Sequence, residues 1–269
     1  MPKVSIIAPA YNAENFIQRY IDSVLAFEHK DIQLILVNDA SKDKTHEIIE
    51  SNREKIKNAG IEFDYINLEE NKGQANALNV ALKHVTGEYL SWQDVDDIFY
   101  PNCLSRCLEV LKQNPECKIV FSKALIVDEN RNYDKEQPKY IPEKEFVHKD
   151  LLKDYIIGKN VIWGPMRFVE TKALFDVLQD KSIYISTGGQ NAQLLFPMVY
   201  KYKCIYIDEI LSEYIVIKSS HSHCVSARRY RKARFKTFIN TIYRINMPFY
   251  QKAYYILLVL CEFTVLLFK

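Results

Sequence analysis

The first 127 residues alternate short apolar runs with stretches that repeat apolar residues at helical spacing. Val4-Ser5-Ile6-Ile7-Ala8 reads as a buried strand, stopped by Pro9-Ala10-Tyr11-Asn12. Residues 15–27 then set Phe16, Ile17, Tyr20, Ile21, Val24 and Leu25 on one helical face. A second strand is expected over 32–37, ended by Asn38-Asp39-Ala40-Ser41. Ser41 or Asp43 is placed to cap a helix carrying Thr45, Ile48 and Ile49. Residues 61–66 predict a third strand, 73–84 a third helix, 88–92 a fourth strand and 118–127 a fifth, with Pro101 opening a helix at its first turn. Residues 128–149, dense in charge with Pro138 and Pro142, predict an exposed loop. Beyond residue 150 the pattern is mixed, with a Ser186-Thr187-Gly188-Gly189 turn before a helix and two strands near 204–207 and 211–217.

Nearly continuous apolar strands separated by helices imply an α/β fold, a mainly parallel sheet with helices on both faces. Such sheets bind ligands beyond the carboxyl ends of their strands. The polar breaks at 9–12, 38–43 and 93–97 all fall on that edge, so three loops are expected to meet in one crevice.

At 269 residues, 48% apolar and 26% charged, the chain can bury a sizeable core. Its net charge of +2 gives no reason to expect a nucleic-acid partner. The six cysteines form no CxxC pair and no zinc-like spacing, which predicts buried, reduced thiols in a cytoplasmic protein. No secretion signal is visible at the N-terminus.

Asp94, Asp96 and Asp97 crowd three carboxylates into four residues straight after Tyr89-Leu90-Ser91-Trp92. A divalent cation would relieve their repulsion and let them hold a diphosphate; a solvated acidic turn is the alternative. The ordered segments Val4 to Asn12, Leu36 to Thr45, Asn71-Lys72-Gly73, Gly87-Glu88-Tyr89-Leu90 and the acidic cluster together resemble the family 2 glycosyltransferases of GT-A fold. The likeness is specific over about residues 3–125 and looser to 223, which implies a GT-A domain over 1–223 followed by C-terminal helices over 224–269.

The resemblance implies donor contacts from Pro9, Ala10, Tyr11 and Asn12, with Tyr11 stacking on the nucleotide base and Asp39 hydrogen-bonding it. A cap at the start of the next helix is the alternative role for Asp39. It further implies Gly73 and Asp94 beside the donor, Asp96 as ligand of Mn²⁺ or Mg²⁺, and Asp97 orienting the metal or sugar. Where many members carry Ala-Arg-Asn, this chain reads Ala77-Leu78-Asn79, so a basic diphosphate contact is missing there, with Lys72 as a candidate substitute. Where inverting members carry a carboxylate pair as general base, Gln190-Asn191 stands, and an amide accepts no proton. These two residues then bind acceptor or donor sugar, or Asn191 merely caps a helix. Asp208, Glu209 and His221 remain as bases by sequence order, and His221 or His223 as a further metal ligand.

Residues 227–236 hold six cations, and 254–268 are largely apolar but short of the roughly 20 residues that cross a bilayer. Basic and then apolar helices suit peripheral contact with the inner face of the cell membrane; docking of the last helix on the core is the alternative. The expected activity is sugar transfer from a nucleotide-sugar donor, a UDP-sugar for preference, to a glycan or lipid-linked acceptor of cell-surface polysaccharide synthesis, with inversion. A non-catalytic nucleotide-sugar binder is the second reading. A nucleotidyltransferase would need a glycine-rich basic loop near the start, and a dehydrogenase a GxGxxG after a strand; neither is present.

Overall fold

The computed structural model describes residues 2–141, 150–157, 164–186, 188–217 and 227–265. Its first half follows the alternation. Strand β1 (Val4–Ala10) leads to α1 (Ile17–Leu25), β2 (Ile32–Asn38), α2 (Thr45–Ser51), α3 (Arg53–Asn58), β3 (Glu62–Asn67), α4 (Gln74–Leu82) and β4 (Tyr89–Trp92). These four strands are parallel, in the order β3-β2-β1-β4.

All seven residues of β2 are buried, as a strand covered on both faces requires. Successive side chains point to opposite faces: Leu34 and Leu36 join one core with Ile6 and Ala8, while Ile35 and Val37 join the other with Ile7. One core is closed by α1 and α5 (Cys103–Gln113), the other by α4 and the helices of the second half.

The second half departs from the expectation. The helix foreseen after Asp43 breaks at Asn52 into α2 and α3. A two-residue strand β5 (Ile98–Phe99) follows the acidic loop, and β6 (Cys117–Asp128) is the fifth strand foreseen. Inside the predicted exposed loop, β7 (Tyr140–Ile141) pairs antiparallel with β6. After α6 (Leu151–Ile156), β8 (Arg167–Glu170) inserts antiparallel between β4 and β6, so the sheet is mixed on this side. Helices α7 (Thr171–Val177) and α8 (Gln190–Lys201) follow, then β9 (Lys203–Val216), one strand where two were expected. β9 runs parallel to β6, and its register slips around residues 207–212 account for the apparent interruption.

Two helices end the described chain, α9 (Ala227–Arg244) and α10 (Phe249–Val265). Phe238 of α9 meets Phe196 of α8 edge-on at 4.7 Å, so the C-terminal helices share the core of the sheet domain. Cys103, Cys107, Cys117 and Cys204 are free and buried, as expected, whereas Cys261 is exposed.

Candidate active site

The loops after β1 and β2 are tied by reciprocal bonds. Asp39 N–H donates to the Ala10 carbonyl at 2.8 Å, Asn12 N–H to Ser41 Oγ at 2.9 Å, and Lys42 N–H back to Asn12 Oδ1 at 2.9 Å. Asn12 and Ala40 both take left-handed backbone at φ 48 and 57, which these crossed bonds hold in place. Ala10 is buried and Pro9 partly so, while Tyr11 stays 42% exposed, leaving its ring free to meet a ligand.

Asp39 is buried, and its two carboxylate oxygens accept the backbone N–H groups of Lys72 (3.0 Å) and Gly73 (2.7 Å). Neither Asp39 nor Ser41 or Asp43 is the cap of α2, which starts from Lys44 without a side-chain cap; Asp43, just outside it, accepts from Thr45 N–H through Oδ1 at 3.0 Å. Gly73 sits at φ 86, ψ 161, a region in which a side chain is strained, so glycine is what lets this loop turn its N–H toward Asp39. Asp39 thus bonds to both of the other loops, through Ala10 on one side and through Lys72 and Gly73 on the other.

The acidic loop joins them from β4. Gln93 N–H donates to the Ile7 carbonyl at 3.0 Å and Gln93 Oε1 accepts the buried Tyr20 hydroxyl at 2.9 Å, which fixes where the loop begins. Asp94 accepts from Gln74 Nε2 at 2.9 Å through one oxygen and from Arg167 Nη2 at 3.1 Å through the other. Arg167 is buried on β8, and its Nη1 reaches the Trp92 carbonyl at 3.4 Å.

The three acids are not equivalent. No other side chain bonds the half-buried Asp96 carboxylate among the described residues; burial, then the neighbouring Asp94, push it up to about 6. Asp97 is buried, accepts Ile215 N–H of β9 at 3.1 Å, and is pushed well above the usual carboxylate range by burial and then by Asp96 and Asp94. Asp97 therefore locks the acidic loop to β9. Tyr214, next to Ile215, is raised to about 12, first by burial and then by the three aspartates.

The start of α8 faces the same loop. Gly189 caps it in left-handed conformation at φ 78, and a Cβ there would lie 2.9 Å from Thr237 Cγ2 of α9. The Thr237 hydroxyl donates to the Gly188 carbonyl at 2.8 Å, so α9 fastens this turn. Asn191 is not the cap: its Oδ1 accepts the Trp92 indole N–H at 3.1 Å. Gln190, half-buried, precedes it in the first turn. Asp208 and Glu209 are held in ion pairs with Lys123 and Arg106, which lower both carboxyls and make them weaker proton acceptors. His221 and His223 lie outside the described residues.

Among the described residues, no three histidine, cysteine or acidic side chains converge into a complete metal site. The donor chemistry fits a hard cation nonetheless. Asp96 is a carboxylate raised by burial beside a second one, and a divalent ion with oxygen ligands would offset that cost. Arg167, Gln74 and the Trp92–Asn191 bond escaped the sequence reading. A lone arginine inside the apolar run Met166-Arg167-Phe168-Val169 was the one signal, because a charge in a buried strand needs a partner.

Comparison with known proteins agrees with this geometry. The profile of glycosyl transferase family 2 matches residues 5–175, and the chain belongs to that family. The structure of Staphylococcus aureus TarS, solved with UDP-GlcNAc, superposes with a TM-score of 0.70 at 17% identity, over 97% of this chain and 72% of that one. A mannosyltransferase of Pyrobaculum calidifontis, solved with GDP-Man and Mn²⁺, gives 0.61 at 17% identity, over 90% and 64%. The fold is GT-A. In sequence, a Rickettsia typhi protein described as an uncharacterized glycosyltransferase is 38% identical over 147 residues, 53% of this chain and 44% of its own length. The Bacillus subtilis putative teichuronic acid biosynthesis glycosyltransferase TuaG is 34% identical over 158 residues, 58% and 60%. The chain thus spans less than half of the Rickettsia typhi relative it matches.

Proposed function

We propose that this chain transfers a sugar, with inversion, from a nucleoside-diphosphate sugar to a glycan or lipid-linked acceptor. The observation that carries the reading is the bonded chain at one edge of the sheet: Asp39 joins Ala10, next to Tyr11, to Lys72 and Gly73, and Gln74 then bonds Asp94 of the acidic loop. Tyr11 stacks on the base, while Pro9, Ala10 and Asn12 shape the cleft beside it. Asp39 sets the floor of the nucleotide site through Lys72 and Gly73. Its remaining acceptor capacity suits the N–H of uracil or guanine, and a UDP-sugar is the favoured donor. TarS and the mannosyltransferase, solved with UDP-GlcNAc and GDP-Man, support a donor of this class.

Asp96, aided by Asp94, would hold Mn²⁺ or Mg²⁺, which neutralises the diphosphate as it leaves. Asp97 fixes the loop that presents both. Gln190 and Asn191 offer hydrogen bonds to the acceptor or donor sugar, and Asn191 is oriented by Trp92. The name of TuaG supports a role in cell-surface polysaccharide synthesis, on the cytoplasmic side where nucleotide sugars are made.

Asp96→Ala tests the reading: donor turnover with Mn²⁺ should vanish while the fold persists. Turnover unchanged from the wild type would refute the role of Asp96. A second reading, a nucleotide-sugar binder without catalysis, is favoured by the amide pair at 190–191 and the ion-paired Asp208 and Glu209. It predicts donor binding with no release of nucleoside diphosphate by the wild type.

A further inference from the structure

Charge is distributed very unevenly along this chain. Residues 214–261 contain nine lysines and arginines and no aspartate or glutamate. Removing those nine from the total of 36 leaves 27 cations against 34 acids, so a body of net charge −7 carries a segment of +9. The small overall charge hides this polarity. Much of the segment is α9 and α10.

α10 is apolar on two sides. Tyr255 and Val259 are buried in the core, and Ile256, Leu258 and Phe263 pack beside them. The opposite side presents Phe249 at 85% exposure, Tyr250 at 70% and Leu257 at 59%, with Tyr254 and Leu260 also exposed. Steps of three and four residues keep them on one stripe. Tyr243, at the end of α9, is exposed next to it, and Lys252 Nζ bonds its carbonyl at 2.8 Å. Lys232, Lys236 and Arg244 of α9 are exposed as well. No helix among the described residues is long and apolar enough to cross a membrane.

We propose that the outer stripe of α10, together with the exposed Lys232, Lys236 and Arg244 of α9, seats this protein in the interfacial layer of an anionic lipid surface. Such a surface supplies what the segment lacks: negative charge next to a boundary into which apolar side chains can sink. Joining two copies through this face would bring two strongly basic segments together, which repel. A nucleic-acid backbone would neutralise the cations but leave the stripe in water. Thr237 links the seat to the candidate site, because it fastens the turn that carries Gln190 and Asn191. If the transferase reading holds, the acceptor side of the cleft is tied to the helix next to the lipid.

The test is sedimentation of the full chain with vesicles of mixed phosphatidylglycerol and phosphatidylcholine, and of phosphatidylcholine alone. Wild type should pellet with the mixed vesicles, far less with the neutral ones, and progressively less as salt rises. Phe249→Ser/Leu257→Ser should lower the partition coefficient by roughly 100-fold, at unchanged thermal midpoint and nucleotide affinity. The proposal is overturned if wild type stays in the supernatant with mixed vesicles, or if the double variant pellets as well as wild type. A dimer that the double variant splits, with no pelleting by either protein, overturns it too. Failure of donor turnover beside intact vesicle binding would count against the transferase reading alone.

Discussion

Arg167 Nη2 stands 3.1 Å from Asp94 Oδ2, and this ion pair bridges an antiparallel strand of the second half to the acidic loop of the first. The Arg167 side chain is 3% exposed, and a second cation, Arg19, meets the same loop where its Nη2 donates to the Asp96 backbone carbonyl at 3.2 Å. Arg167 also lowers the carboxyls of Asp96 and Asp97 against the larger effect of burial. Leu78 leaves no basic side chain where many family members have one, and Arg167 reaches the acids from the other direction.

Arg167→Met should therefore leave Asp94 without its charge partner. Breaking a buried pair costs about 3 kcal/mol, taken at the low end because Asp94 is partly exposed. Denaturant unfolding would measure that loss. Calorimetry should also show weaker Mn²⁺-dependent nucleotide binding, since Asp94 is no longer held. Full affinity in the variant would remove Arg167 from the site.

The raised Asp96 carboxyl predicts a pH dependence of the metal-free protein. Its folded value of about 6 lies above the unfolded value near 3.9. Between the two the folded state binds more protons, so stability from this group is present at low pH and is lost as pH rises toward about 6. From about pH 4.5 to about pH 7 the thermal midpoint of wild type should fall relative to that of Asp96→Asn. Parallel curves for the two proteins would contradict the burial argument.

Gly73→Ala tests the joint between Asp39 and the β3–α4 loop. The position is open, so the cost is backbone strain alone, about 1–3 kcal/mol at this conformation. Relief of that strain would pull the Gly73 N–H from Asp39 and should weaken nucleotide binding. The readout is the dissociation constant for UDP or GDP, which an inert loop would leave unmoved.

Trp92→Phe removes the indole N–H that Asn191 accepts, while keeping most of the buried ring. If Asn191 orients a sugar, kcat for transfer should fall several-fold with little change in KM for the donor. A fall in stability with unaltered kcat would mark the bond as structural.

The early strands were readable because parallel strands buried on both faces leave long apolar runs, although β1 continues through Pro9 to Ala10 and β2 through Asn38, two residues and one residue past the expected stops. The acidic triplet was readable for the same local reason. What each aspartate does was not, since Asp94, Asp96 and Asp97 are near-identical in sequence and differ in their partners: the Asp94 carboxylate meets Arg167, that of Asp97 meets Ile215 N–H, and that of Asp96 bonds no side chain among the described residues. The strand β8 was missed because its four residues are too short to show a period, and its place between β4 and β6 depends on partners far away in the chain.

The sequence by itself determined the alternating first half, the loops at the carboxyl edge and the glycine at 73, because each follows from periodicity or from a local conformational need. Only the tertiary structure decided that Asp39 grips a third loop, that Asp97 is turned to β9, and that α10 shows an apolar face outward. Those outcomes are set by which distant groups come within hydrogen-bond or packing distance. No local pattern of side chains encodes that choice.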